Sequence, residues 1–208
     1  MKLPGKFHKT NLPNTSHLYT IGVGLTAALI LLIPLVAMQI TDEVVWNLAD
    51  FVVAWTLLFG AGLTYNLVAR KMDNIAYRAA VGVAVVTSLI IIWSNLAVGL
   101  IGNEDNLINL IYFFVLLLGI IGALIARFRA NSMAFVLFSM ALALVLIAAF
   151  VLIADLQQDE FTVVKNLVFL GVHCFFATMF VISALLFHYA ARQPQHVNTM
   201  SEDQPEHL

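Results

Sequence analysis

The chain has 208 residues, 62% of them hydrophobic and only 11% charged, with a mean hydropathy of +0.94 and a formal net charge of -2. A soluble domain is about a quarter charged, so a water-soluble globular fold is excluded, and ten scattered basic residues do not form a nucleic-acid-binding patch. The composition points to a bilayer, whose hydrocarbon core asks each crossing helix for about 20 consecutive apolar residues.

In chain order, residues 1–17 (MKLPGKFHKTNLPNTSH) are a polar arm, and the first charge-free run extends from Leu18 to Ile40. It lacks a small-residue cleavage signature, so it reads as a retained helix rather than a signal peptide, kinked at Pro34. Five further runs follow: Val44 to Ala69, Ala79 to Gly102, Leu107 to Ala126, Met133 to Ala154 and Thr162 to Ala191. Inside all six the only formal charges are Asp50 and Lys165. The expectation is an all-α polytopic membrane protein, a six-helix up-and-down bundle over residues 18–192, followed by a disordered tail over 193–208.

Lysine and arginine set the orientation. Nine of the ten basic residues fall in the arm, the even-numbered turns and the tail, whereas Asp42, Glu43, Glu104, Asp105, Asp155, Asp159 and Glu160 lie in the odd-numbered turns. Both termini are therefore expected in the cytoplasm. Each pair of spans closes on alanine-arginine, in LVARK, LIARF and YAARQ, as three parallel helical-hairpin repeats would. The positive-inside rule alone accounts for that recurrence equally well.

The polar residues at membrane depth carry the interest. The third span brings Trp93, Ser94 and Asn95 towards its outer end, and the fourth begins with Asn106, Asn109 and Tyr112. Asn109 and Tyr112, three apart, share a helix face. Together with Asp50, Glu104 and Lys165 they form a candidate outer polar cluster: Asp50, Asn95, Glu104, Asn109, Tyr112 and Lys165. A carboxylate at that depth is costly unless paired or wet, so Asp50 is expected either to pair with Lys165 or to line an outward-facing cavity with it. The alternative is an interfacial belt, with Lys165 snorkelling to headgroups. Small residues at Gly60 with Thr64, Gly99 with Gly102, and Gly119 with Gly122 and Ala123 are expected to pack helices closely.

Cofactor and catalytic patterns were weighed against these residues. His173 and His188 are the only histidines within a span and stand about 22 Å apart along one helix, so no single haem iron takes both. His17 and His188 could meet at the cytoplasmic boundary, and His173 is expected to hydrogen-bond a neighbouring helix. No H-E-x-x-H, G-x-S-x-G or P-loop pattern occurs. No cofactor, metal or catalytic residue is assigned, and Cys174 has no intrachain partner for a disulfide.

Residues 77 to 130, with the WSNLAVGLIGNEDN and GALIARFRA stretches, and the preceding TDEVVWNLADFVVAWTLLFGAGL, resemble an uncharacterised family of small polytopic bacterial inner-membrane proteins. The chain departs from that pattern at Asn106 to Asn109, where relatives look like N-P-A-N: both asparagines are kept and Leu107 stands in place of the proline. The resemblance implies an inner-membrane location and no particular activity. Two function classes remain: a non-enzymatic structural or accessory protein, in contact with the lipid bilayer and with copies of itself or a larger membrane complex, or a small-solute or cation permease whose vestibule is the outer polar cluster.

Overall fold

The computed structural model describes residues 15–42, 44–70, 72–103, 105–157 and 163–193. Regular structure among them is helical throughout: α1 (Thr15–Ile40), α2 (Leu48–Ala69), α3 (Ile75–Ala97), α4 (Leu110–Ile125, entered through a 3-10 turn at Leu107–Asn109), α5 (Ala130–Gln157) and α6 (Val163–Arg192). All six, with the entry turn counted into α4, are long and apolar enough to cross a membrane. The chain is thus an all-α, multi-pass membrane protein of six helices. The polar arm and the tail lie almost wholly outside the described residues.

Helix ends differ from the charge-free runs because caps, not charges, set them. Asn74 accepts from the amides of Ala76 (2.8 Å) and Tyr77 (3.2 Å), so α3 starts four residues ahead of its charge-free run and carries Arg78 in its first turn. It stops at Ala97, where Gly99 turns left-handed (φ 75°) and the amides of Val98 and Gly99 both fold back on the Ser94 carbonyl. Gly99 and Gly102 (φ 75°) therefore shape a loop rather than pack helices, which corrects the expectation for that pair. Helix α1 is continuous through Pro34.

Two compact units make up the chain, Met1–Leu67 and Val68–Leu208. In the first, α1 and α2 run antiparallel: Gly24 lies against the Phe59 ring, and a Cβ at Gly62 would fall 2.6 Å from Val23 Cγ1. The close approach expected at Gly60 is made by Gly62 instead, since a Cβ at Gly60 would meet nothing within 4 Å. Ala27 and Ala54 are buried, while Leu29, Ile33, Val52 and Val53 are exposed, as a lipid-facing hairpin allows.

In the second unit α3 packs on α6 and more lightly on α4, and α5 packs on both α6 and α4, so four helices close into a ring. Buried positions on α5 (Met133, Leu137, Met140, Leu144, Ile147) and on α6 (His173, Ala177, Phe180, Ala184, Phe187) repeat at four-then-three spacing. That is the seam of shallow-angle, coiled-coil-like packing. Gly119 and Gly122 let α4 approach α5: a Cβ would fall 2.5 Å from Met140 Sδ at the first and 2.9 Å from Val136 Cγ1 at the second. The hairpins marked off by alanine-arginine do not pack alike, because α3 finds its main partner in α6 rather than in α4.

Candidate functional site

One end of the four-helix unit carries the α3–α4 loop and the start of α6; the other carries the α4–α5 turn. At the loop end, nine residues separate α3 from the 3-10 turn, and their backbone groups need partners that a helix no longer supplies. Asparagines supply them. Asn109, 4% exposed, accepts from the Ile101 amide (2.8 Å) and donates to the carbonyls of Ile101 (3.2 Å) and Asn103 (2.6 Å). Its side-chain amide thus pairs with Ile101 as a peptide group of a neighbouring strand would. Asn95 donates to the Asn109 carbonyl (2.9 Å), and Asn106 caps the 3-10 turn through the Ile108 amide (3.0 Å). The glycines and asparagines of this stretch therefore form a stapled loop.

One turn into α4, the Tyr112 hydroxyl meets His173 Nε2 on α6 at 2.5 Å. His173 Nδ1 lies 2.8 Å from the Phe169 carbonyl, which can only accept, so Nδ1 carries the proton and donates. Nε2 of the neutral ring is then the acceptor for Tyr112, and the tautomer is fixed. The Phe169 ring stacks obliquely on the imidazole at 4.1 Å. The expectation that His173 bonds a neighbouring helix is met by a partner, Tyr112, that sequence spacing could not name.

Other members of the predicted cluster lie elsewhere. Lys165, 54% exposed in its side chain, sits 3.6 Å from Asp155 across the α5–α6 connection. Asp50 belongs to the first unit, where it accepts from the Asn47 amide (2.8 Å) while Asn47 Oδ1 accepts from Ala49 (2.7 Å) and Asp50 (3.2 Å). That is a reciprocal capping box at the start of α2. Trp46, just before the cap, packs edge-on against Phe51 at 5.3 Å, which adds the hydrophobic staple of the same motif. Asp50 and Lys165, expected to meet, each have a local partner instead of standing bare, the Asn47 amide for the first and Asp155 for the second. Glu104 lies outside the described residues. Of the cluster, then, the loop end joins Asn95 to Asn109 and, through α4, to Tyr112.

At the opposite end Tyr77 is fully buried, edge-on to Phe187 at 5.0 Å, and its hydroxyl donates to the Phe128 carbonyl at 2.8 Å. That carbonyl belongs to a tight turn in which Arg127 (φ 51°) and Phe128 (φ 56°) are both left-handed. Sequence reading assigned Tyr77 no role, because a long-range hydroxyl-to-backbone bond has no local signature. The W-N-L-A-D-F capping motif, by contrast, is local and readable.

Hydroxyl groups deeper in the helices are spent on their own backbone. Thr87 donates to Val83 (2.7 Å), Ser88 to Ala84 (2.9 Å) and Ser139 to Phe135 (2.9 Å), while Ser183 bridges to the Ala80 carbonyl on α3 at 2.7 Å. Among the described residues, two buried atoms at the loop end have no partner, Asn95 Oδ1 and Asn166 Nδ2. Among the described residues no three histidine, cysteine or carboxylate side chains gather where they would hold a metal. Among the described residues, the buried polar side chains of this layer, Asn95, Asn109, Tyr112, Asn166 and His173, offer neutral hydrogen bonding. Compared with protein-family models, curated proteins and solved structures, the chain matches none.

Proposed function

We propose that this chain is a non-enzymatic structural or accessory protein of the bacterial inner membrane, with both termini in the cytoplasm. One observation carries the reading: the buried polar side chains of Thr87, Asn95, Asn109 and Ser183 bond the chain's own backbone. A permeation path needs polar groups left free to exchange partners with a passing solute, and groups committed to backbone are poor at that. The distribution of basic residues supports the orientation. The resemblance of residues 41 to 130 to small bacterial inner-membrane proteins supports the location.

The reading is tested by extracting the protein from its own membrane in mild detergent and measuring native mass together with the optical spectrum. A foreign subunit at fixed stoichiometry is the expected result. A homo-oligomer that carries a solute or cation into liposomes would replace this reading with the permease, which the two unpartnered loop-end atoms favour.

A further inference from the structure

The two unpartnered atoms are chemically complementary. Asn95 Nδ2 is fixed by its bond to the Asn109 carbonyl, because only a donor approaches a carbonyl oxygen so closely, and the remaining amide atom, Oδ1, is therefore an acceptor. Asn166 offers the opposite, a buried N–H donor. Both residues are more than nine-tenths buried, at 4% and 5% exposure, and buried amides of native proteins are rarely left unbonded.

The fold places them at one level. Helices α3 and α6 run antiparallel, with Asn74 bonded to Gln193, Tyr77 against Phe187 and Ser183 bonded to Ala80. Seventeen residues onward from Ala80 lies Ala97, and seventeen back from Ser183 lies Asn166, so Asn166 stands level with the last turn of α3, which holds Asn95. Helix α4 is tied to both neighbours here, to α3 through Asn95 and Asn109 and to α6 through Tyr112 and His173.

From this we infer that the loop end binds one small neutral hydroxyl-bearing molecule, which donates to Asn95 Oδ1 and accepts from Asn166 Nδ2. A bare cation would meet the Asn166 N–H and an anion the Asn95 oxygen, whereas a hydroxyl group gives one hydrogen bond and takes another. Water and a small polyol such as glycerol share this chemistry, and two polar partners are the minimum that holds a buried water. The inference is independent of the accessory role, since a bridged loop end serves either function class.

The test uses the full-length, nitrogen-15-labelled chain in lipid nanodiscs and reads magnetisation transfer from the side-chain amide protons of Asn95 and Asn166. Cross-peaks at the water frequency from both amides are expected. Asn95→Leu should abolish the Asn166 cross-peak. Because that variant also cuts the bond to Asn109, Asn166→Leu, read from the Asn95 amide, is the companion and should abolish it likewise. Carbon-13 glycerol then separates the sources: persistence of the water peaks assigns water, and replacement by glycerol cross-peaks assigns a polyol. Absence of both kinds of cross-peak from the wild-type protein overturns the inference. So does a scalar coupling across a direct Asn166–Asn95 bond, or survival of the peaks in both leucine variants.

Discussion

The two ends of the four-helix unit reverse the chain by different means. Between α4 and α5 the reversal takes four residues, Ala126 to Arg129, and forces two non-glycine residues into left-handed backbone. One hydroxyl, from Tyr77 on a third helix, holds the turn at Phe128. Between α3 and the entry to α4 the chain takes nine residues, places glycines where φ is positive, and satisfies the exposed backbone with asparagine side chains. The tight turn stores local strain and needs a distant clamp; the wide loop avoids strain and needs local polar staples. Near a bilayer the second solution buries amides, and it is there that two polar atoms lack a partner.

The largest effect should come from the staple. Asn109→Ala removes three hydrogen bonds and strands the Ile101 amide, and with about 1–3 kcal/mol for each buried group left unmet the unit should lose about 3 kcal/mol in detergent-based unfolding. A loss below about 1 kcal/mol would mean that the loop does not depend on its asparagines.

Tyr77→Phe comes next, with an expected loss of about 2 kcal/mol, since it removes one buried hydrogen bond and frees a strained turn. Amide exchange should quicken at Arg127 to Arg129 and stay unchanged at Ile101 to Asn109. Equal quickening at both ends would break the claim that they are held independently.

Smaller, and opposite in sign, is Arg127→Gly. Left-handed backbone costs an L-residue about 1–2 kcal/mol, and Arg127 is exposed, so the variant should raise stability by about 1 kcal/mol after glycine's added chain entropy is counted. No gain, with Tyr77 intact, would show that the turn carries little strain.

Outside this unit, the α2 cap offers a calibration. Asp50→Leu should cost about 1 kcal/mol, and Asp50→Asn less than half of that, because an amide oxygen can still accept from the Asn47 amide. A transport assay abolished by Asp50→Asn with stability intact would point away from capping. Smallest of all is Lys165→Ala, expected within about 0.5 kcal/mol because its ammonium group stands in an exposed side chain, 3.6 Å from Asp155.

What could be read in advance follows the range of the forces involved. Hydrophobic length is a property of consecutive residues, so the six spans and the all-α class were legible from composition and charge-free runs. Caps are nearly as local: Asn74 before α3, and Trp46, Asn47, Asp50 and Phe51 around the start of α2, follow patterns within six residues. Position along a helix was legible too, and it drew attention to Asn95 and Asn109, which the structure joins by a hydrogen bond.

Partnership was not legible. Equal depth made Asp50 and Lys165 candidates for each other, but it could not show that the Asp50 carboxylate accepts from the Asn47 amide three residues away, a local bond with little entropic cost. Tyr112 with His173, Ser183 with Ala80 and Tyr77 with Phe128 join residues 51 to 103 positions apart. Which helix faces which is decided by the packing of whole seams, where α3 takes α6 as its main neighbour. The sequence by itself determined that this protein has six helices long and apolar enough to cross a membrane and where its polar groups lie along them; only the tertiary structure decided which of those groups meet, because hydrogen bonds between helices depend on rotation and register that no local pattern records.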